Sequence, residues 1–335
     1  MEYRPLGRTG VRVSPLCLGA MMFGGRTSPS DAADIIDRAL DSGINFIDTA
    51  NVYAQGRSEE AVGAALARNG RRNDVILATK VHGRIGEGPN AMGNSRRHII
   101  EQCHASLRRL GTDWIDLYQI HRPQPDIPID ETLRALDDLV RSGKVRYIGT
   151  STFAAWQLVE SLWVSKEYGL ERFVCEQPPY NLLDRRIERE LLPMARTYGF
   201  AIIPWSPLAG GLLTGKYTRN APPPPDSRYA NLDANPMYRR RMNNAIWDVI
   251  EPLEALARDK GTTISRLALA WCMHQSGVTS PIIGPRTMEQ LEDNLAALDV
   301  AITDDDRQAI DRIIAPGTHV SPYYEADWQP GPYRW

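Results

Sequence analysis

The runs Ile44-Asn45-Phe46-Ile47-Asp48, Val75-Ile76-Leu77-Ala78-Thr79-Lys80 and Ile115-Asp116-Leu117-Tyr118-Gln119-Ile120-His121 decide the fold of this chain. Each is a short stretch rich in apolar residues that ends on an ionisable side chain, and a helical pattern follows each. Strands alternating with helices make a parallel sheet joined by crossovers. If that sheet closes, all strand ends meet on one rim, where barrel enzymes keep their chemistry. Asp48, Lys80 and His121 end three strands, and Tyr53 lies just past the first of them. An acid, a phenol, an amine and an imidazole on one rim make a proton-transfer site.

The alternation extends in both directions. Residues 2–14 read as a β-hairpin turning near Gly7-Arg8-Thr9-Gly10, placed to plug the bottom of a barrel. Strands are expected at 16–19, up to 48, 75–80, 115–121, 145–151, 173–177, 201–205 and 281–284. Helices are expected from a Ser30-Asp31 cap to 42, and at 58–68, up to 110, 129–142, 154–168, 187–198 and 288–298, with Gly43, Gly70, Gly111 and Gly143 as stops. Eight strands of this kind give an α/β chain folded as a (β/α)8, or TIM, barrel. Residues 1–335 read as one domain: a hairpin at 1–15, a barrel, a long connection at 206–242 holding four successive prolines, and an aromatic tail at 316–335. A structureless connection that long is usually functional, and aromatic residues favour docking over solvation.

A length of 335 residues suits such a barrel and needs no disulfide staples. Cys17, Cys103, Cys175 and Cys272 are far apart, form no C-x-x-C and read as reduced thiols. A net charge of −2 supplies no basic excess for nucleic acid or an anionic membrane. No run approaches the ~18 apolar residues of a membrane span, and the apolar stretch 13–25 lacks a long leader-like core. The expectation is a cytoplasmic protein whose partner is a small molecule; nothing in the sequence sets its assembly state.

Taken singly, the four polar residues have plain readings: a turn aspartate, a packed tyrosine, a lysine reaching solvent and a structural histidine. Together they suit protonation of an oxygen that is gaining negative charge. A free phenol ionises near ~10, and a cation about 4 Å away favours the phenolate by roughly 4 kcal/mol at an effective dielectric near 20. Lys80 is the candidate cation, Asp48 would hold it charged, and His121 would orient a carbonyl beside Tyr53.

The segment Phe46-Ile47-Asp48-Thr49-Ala50-Asn51-Val52-Tyr53 and the Thr79-Lys80 and Ile120-His121 strand ends resemble the signatures of the aldo-keto reductases. So do Gly43-Ile44-Asn45, Tyr147-Ile148-Gly149-Thr150-Ser151, Pro204-Trp205-Ser206-Pro207-Leu208 and the stretch from Gly284-Pro285-Arg286 to Asn294, in the family's order over residues 1 to 315. Gln177-Pro178-Pro179-Tyr180-Asn181-Leu182-Leu183 and the stretch from Trp205 to Gly211 resemble its bacterial branch, which is related to potassium-channel β-subunits.

The resemblance implies a TIM barrel that reduces aldehydes or ketones with NADPH, using Asp48, Tyr53, Lys80 and His121, with Tyr53 as general acid. It implies cofactor contacts from Gly19 and Met21, from Ser151, Thr152 and Gln177 at the nicotinamide carboxamide, and from Trp205 stacked on the ring. Ser206, Leu208, Gly210, Lys216 and Arg228 would hold the pyrophosphate. Gly284, Arg286, Gln290, Asp293 and Asn294 would hold the adenosine end. Met22, Phe23, Tyr53 and His121, the loop 83–94, the segment 217–240 and the tail would wall the substrate pocket. The family often has Asn where Thr152 stands and Lys where Gly284 stands; Arg286 still offers a planar fork for a 2′-phosphate, which favours NADPH.

Other motifs carry less. Gly210-Gly211-Leu212-Leu213-Thr214-Gly215-Lys216 nearly spells a P-loop, but Tyr217 replaces the magnesium-binding hydroxyl. There is no G-x-G-x-x-G, and the six histidines form no H-E-x-x-H, so no metal is expected. Two alternatives to a reductase remain: an NADPH-holding redox-sensing module of the channel β-subunit type, and a lyase using Lys80 as a Schiff base, which a neighbouring Asp48 disfavours by keeping the amine protonated. The substrate is open among sugars, steroids, quinones, small aldehydes and an activated C=C of a sugar nucleotide.

Overall fold

A computed structural model describes residues 1–324. Two short antiparallel strands open it, β1 (Arg4–Pro5) and β2 (Arg12–Val13). Eight parallel strands follow: β3 (Cys17–Gly19), β4 (Phe46–Asp48), β5 (Ile76–Val81), β6 (Ile115–Ile120), β7 (Val145–Ser151), β8 (Cys175–Gln177), β9 (Ala201–Ile202) and β10 (Ile282–Ile283). Their order is β10-β3-β4-β5-β6-β7-β8-β9. The seam closes where the Thr279 N–H donates to the Ile202 carbonyl at 2.8 Å and the Ile282 N–H to that of Pro204 at 2.8 Å. This is the expected (β/α)8 barrel.

The helices are α1 (Pro29–Asp41), α2 (Arg57–Asn69), α3 (Arg96–Leu110), α4 (Ile129–Arg141), α5 (Ala155–Tyr168), α6 (Leu191–Tyr198), α7 (Pro236–Arg241), α8 (Trp247–Asp259), α9 (Ile264–Met273), α10 (Met288–Leu295) and α11 (Asp304–Ile313). Their apolar faces and the outward residues of the strands form one core. A second core fills the bottom of the barrel: Leu6 and Val13 of the hairpin pack on Cys17, Phe46, Ala78, Leu117, Cys175, Ala201 and Ile203. The hairpin is therefore the plug that its position suggested. Inward-pointing residues alternate along each strand, so Phe46 goes to the plug and Asp48 to the opposite rim.

Several boundaries differ from expectation for identifiable reasons. Ser28, not Ser30, caps α1: its hydroxyl accepts the Asp31 N–H at 3.1 Å, and Pro29 takes the first helical position, where its missing N–H costs nothing. Strand β9 stops at Ile202 because Pro204 has no N–H to continue the ladder; Trp205 instead makes an isolated bridge to Pro179. Strand β10 covers only the two residues between Pro281 and Gly284, β8 starts at Cys175 and β5 runs on to Val81. The helix expected from 187 begins at Leu191, after a 3-10 turn at Arg186–Glu188. The connection 206–242 is not structureless: it holds 3-10 turns and α7.

Helices α8, α9 and α11 were not expected, although Thr303 and Asp306 spell a capping box, with the Asp306 N–H donating to the Thr303 hydroxyl and the Asp306 carboxylate accepting the Thr303 N–H. The four cysteines are buried free thiols. Of the tail, Tyr323 is fully buried, while Trp328, Tyr333 and Trp335 lie outside the described residues. No helix among the described residues is long and apolar enough to cross a membrane.

Candidate active site

Strands β4, β5 and β6 bring three of the four expected side chains to one rim, and the turn after β4 adds Tyr53. Lys80 is fully buried. Its Nζ donates to Asp48 Oδ1 at 2.5 Å, to the Thr49 carbonyl at 2.9 Å and to the Tyr53 hydroxyl at 3.2 Å. An ammonium has three donors and no acceptor, so all three are used and the Tyr53 oxygen must accept. The proton of Tyr53 is thereby left for a partner in the cavity above. Burial opposes the charge on Lys80, but the Asp48 carboxylate and Tyr53 outweigh it and raise its pKa. The amine stays protonated, which removes the Schiff-base reading for this lysine.

Asp48 is held from both sides. Its Oδ2 accepts Gln119 Nε2 at 3.0 Å and Gln177 Nε2 at 2.9 Å. Gln119 was missed, yet it lies two residues before His121 on β6, on the same face. Gln177 was expected at a carboxamide; its amide nitrogen is spent on Asp48 and on Gln119 Oε1, at 3.1 Å.

His121 meets Tyr53 edge to face, ring centroids 5.6 Å apart. Burial, then the charges of Lys80 and Arg122, push its pKa well below the ordinary histidine value. It is a neutral imidazole at pH 7 and can donate a hydrogen bond without acting as an acid.

Left-handed non-glycine residues cluster at this rim: Ala54 and Gln55 after Tyr53, Thr152 after β7, and Ser206 and Ala209 after β9 have φ of 48°, 60°, 65°, 55° and 50°. Such conformations cost about 1–3 kcal/mol each and persist where the surroundings impose them, often at functional sites.

A cavity of about 830 Å³ runs from Tyr53 and His121 across the ends of β7–β10. Every expected site residue lines it except Lys80, Phe23 and Thr152. Lys80 lies beneath it, paired to Asp48. Phe23 packs in the main core with no exposed surface, so it is not a pocket wall. Thr152 is also fully buried, and its hydroxyl accepts Arg122 Nη1 at 3.0 Å instead of facing the cavity. No residue of the loop 83–94 lines the cavity; the Gly93 N–H of the loop donates to the His82 carbonyl at 2.7 Å. Arg26, Arg122, Arg241 and Ser265 line the cavity without having been expected.

The far end is cationic. Lys216, Arg228 and Arg286 face it together. Burial first, then Arg286 and Arg228, lower the pKa of Lys216; three mutually repelling cations are what a polyanion would relieve. Gly210 adopts φ 62° and brings its backbone to the wall, where a Cβ would stand 3.0 Å from the Tyr229 hydroxyl. A Cβ at Gly284 would meet nothing, so the lysine often found there in the family has open space rather than a contact to replace. Gln290 Oε1 accepts the Arg286 N–H at 2.9 Å, and Asp293 takes Ser265 Oγ and Arg266 Nε, both at 2.7 Å.

The model of the aldo/keto reductase family matches residues 15–315. The chain is 40% identical over 303 residues to a probable voltage-gated potassium channel subunit beta of Oryza sativa subsp. japonica, and 39% identical over 303 residues to the protein of the same name in Arabidopsis thaliana. It is 42% identical over 311 residues to the uncharacterized oxidoreductase YrpG of Bacillus subtilis (strain 168). Each comparison covers 90% of this chain and 92% of the relative. With the barrel, the rim and these matches in hand, the chain belongs to the aldo/keto reductase family of oxidoreductases.

Proposed function

We propose that the protein reduces an aldehyde or ketone to an alcohol with NADPH, Tyr53 acting as general acid. One observation carries the reading: Lys80 spends its third donor on the Tyr53 oxygen, which leaves the phenol proton directed at the cavity. The nicotinamide, when bound, supplies hydride to the carbonyl carbon. Neutral His121 donates a hydrogen bond to the carbonyl oxygen and fixes it beside Tyr53. Tyr53 gives that oxygen its proton as negative charge develops there, and the Lys80 ammonium stabilises the phenolate left behind. Asp48, with Gln119 and Gln177, holds Lys80 in register. Trp205 would lie beside the ring, Ser151 at its carboxamide, Ser206, Leu208, Gly210, Lys216 and Arg228 along the pyrophosphate, and Arg286, Gln290 and Asn294 at the adenosine end.

A second reading, an NADPH-holding regulatory module, is favoured by the names of the two plant relatives. The complete proton-transfer set favours catalysis, since a module that only senses the cofactor has no use for a poised phenol. A steady-state screen of NADPH consumption over a panel of carbonyl compounds separates them. Turnover supports the reductase; tight NADPH binding with no turnover on any of the panel supports the module.

A further inference from the structure

Helix α7 ends in Arg239, Arg240 and Arg241, and the third is unlike the other two. Arg239 and Arg240 are exposed, whereas Arg241 is 5 % exposed and lines the cavity. Its Nε donates to the Pro322 carbonyl at 3.1 Å, and its guanidinium lies 4.0 Å over the Tyr323 ring. Its Nη2 has no hydrogen-bond partner, and among the described residues no carboxylate pairs with it. The ring answers the charge across the face of the guanidinium plane, but the N–H donors lie in that plane and the ring does not satisfy them. A buried guanidinium with an open edge is costly, and an anion seated on that edge removes the cost.

The surroundings of Arg241 indicate which anion. A Cβ on Gly210 would stand 3.0 Å from the Tyr229 hydroxyl, 3.2 Å from Arg228 Cδ and 3.4 Å from the Tyr323 hydroxyl, so these four residues meet at one corner. Arg241 covers the ring of that Tyr323, which in turn meets Trp205 at a centroid distance of 6.3 Å. Burial raises the pKa of Tyr229 overall, and the charges of Arg241 and Arg228 both act against the rise. Two arginines from separate parts of the 206–242 connection thus bear on one tyrosine beside Gly210, the corner given above to the pyrophosphate.

The C-terminal segment holds Arg241 there. Ser321 Oγ donates to the Arg241 carbonyl at 2.9 Å, and Asn243 Nδ2 to that of Val320 at 2.7 Å. On its other side the segment is pinned to the loop after β8, where the Val320 and Ser321 N–H groups donate to the Leu183 carbonyl at 2.9 and 3.1 Å. Residues 320–323 therefore lie between that loop and the end of α7. They supply both the ring under the guanidinium and the carbonyl that orients it.

We propose that Arg241 donates to the pyrophosphate of the bound dinucleotide and that the C-terminal segment positions it, so that segment and cofactor hold each other in place. The inference rests on the dinucleotide part of the proposed function. It is independent of which carbonyl compound is reduced, and of whether the protein is a reductase or a regulatory module. Such coupling is reciprocal: a segment that strengthens cofactor binding is itself held more tightly once the cofactor is bound.

The test uses the full chain and needs no turnover. Isothermal titration gives the Kd of NADP+ and of NAD+, which share the pyrophosphate and differ only in the 2′-phosphate. Arg241→Met should raise both by the same factor, about tenfold or more, the usual worth of one charge-assisted contact. Arg241→Lys, which keeps the charge but not the fork, should restore part of the loss. Tyr323→Leu, which removes the ring, should weaken both dinucleotides in the same proportion, and thermal melts establish that each variant is folded. Hydrogen exchange reads the reverse coupling: saturating NADP+ should slow exchange at 318–324 in the wild type, and much less so in Arg241→Met at equal occupancy. A loss confined to NADP+ assigns the arginine to the 2′-phosphate and overturns its placement here. Exchange at 318–324 that NADP+ leaves unaltered in the wild type overturns the coupling. A wild-type chain that binds neither dinucleotide refutes the cofactor reading itself, whereas wild-type binding that Arg241→Met leaves intact refutes this inference alone.

Discussion

The Lys80 ammonium stands 3.2 Å from the Tyr53 hydroxyl in a position with no exposed surface. Lys80 is fixed near the end of β5 beside Asp48 at the end of the neighbouring β4, and Tyr53 by the turn after β4, whose backbone goes left-handed immediately after it. The pair is therefore prearranged, and forming it at the moment of reaction costs no reorganisation.

Tyr53→Phe removes the proton and keeps the ring that meets His121. The expected result is a loss of about 10²–10⁴ in kcat, the usual worth of a positioned general acid, with NADPH affinity kept. Single-turnover kinetics beside a fluorescence titration of NADPH measure the two separately. A variant that turns over near the wild-type rate would remove Tyr53 from the proposed role.

Arg286 offers the cavity a guanidinium whose Nη1 reaches the Asp226 carbonyl at 3.5 Å. Its expected partner is the phosphate that NADPH has and NADH lacks. Arg286→Ala should raise the Kd for NADPH by roughly tenfold or more and leave that for NADH little changed, in keeping with the worth of a charge-assisted pair. Isothermal titration of both cofactors reads this directly, and equal losses would take away the basis for preferring the phosphorylated form.

The barrel was legible because its strands are short apolar runs punctuated by caps and glycines, and because inward and outward residues alternate. The ends of β4, β5 and β6 fell within a residue of expectation. What the sequence did not carry was set by distance along the chain. Gln119 reads as one polar residue in an apolar run until Asp48 is placed opposite it. Arg241 sits among three successive arginines at the end of a six-residue helix, and only the packing of Tyr323 against it distinguishes it from a solvated one. Phe23, expected at the substrate pocket, and Thr152, expected at the cofactor, both lie off the cavity for the converse reason: adjacency to Met22 and Ser151 in sequence does not decide which way a side chain turns. Prolines, by contrast, were visible and under-used; Pro204 and Pro281 trim the last two strands.

Glu176 points away from the cavity and is fully buried. It accepts the Thr150 hydroxyl at 2.5 Å and the Phe153 N–H at 3.1 Å, which pins the turn that carries Ser151 and Thr152. Burial raises its pKa from 4.5 to about 8, against these hydrogen bonds and the charge of Arg122. A carboxyl raised on folding contributes fully below the unfolded value and loses that contribution as pH rises through the folded one. Stability should therefore decline between about pH 4.5 and 8 on this account, by a few kcal/mol at most. Glu176→Gln keeps the shape and cannot ionise, so its stability relative to wild type should climb from pH 5 to pH 9. Urea denaturation at pH 5, 7 and 9 checks this, and a gap that stays flat with pH would mean the carboxyl ionises without penalty.

Asp184 ties the C-terminal segment to the site. Its buried carboxylate takes the Tyr323 N–H at 2.6 Å, the Tyr324 N–H at 2.7 Å and the Arg186 fork, with Nη2 at 2.7 Å. The segment it fastens puts the Tyr323 hydroxyl 2.7 Å from that of Tyr229, under the connection that carries Arg228. Asp184→Ala strands two backbone N–H groups and takes a buried carboxylate from the Arg186 guanidinium, a loss of about 3–5 kcal/mol by the usual cost of breaking a buried charged pair. If the segment detaches, Tyr323 leaves both Trp205 and Tyr229, and NADPH binding should weaken along with stability. Tyr323→Phe separates the effects: it deletes one hydroxyl contact, should cost only about 1 kcal/mol, and should alter hydrogen exchange at 206–242 more than at 183–186. Uniform protection across both segments in that variant would show that Asp184 holds the tail without bracing the cofactor side.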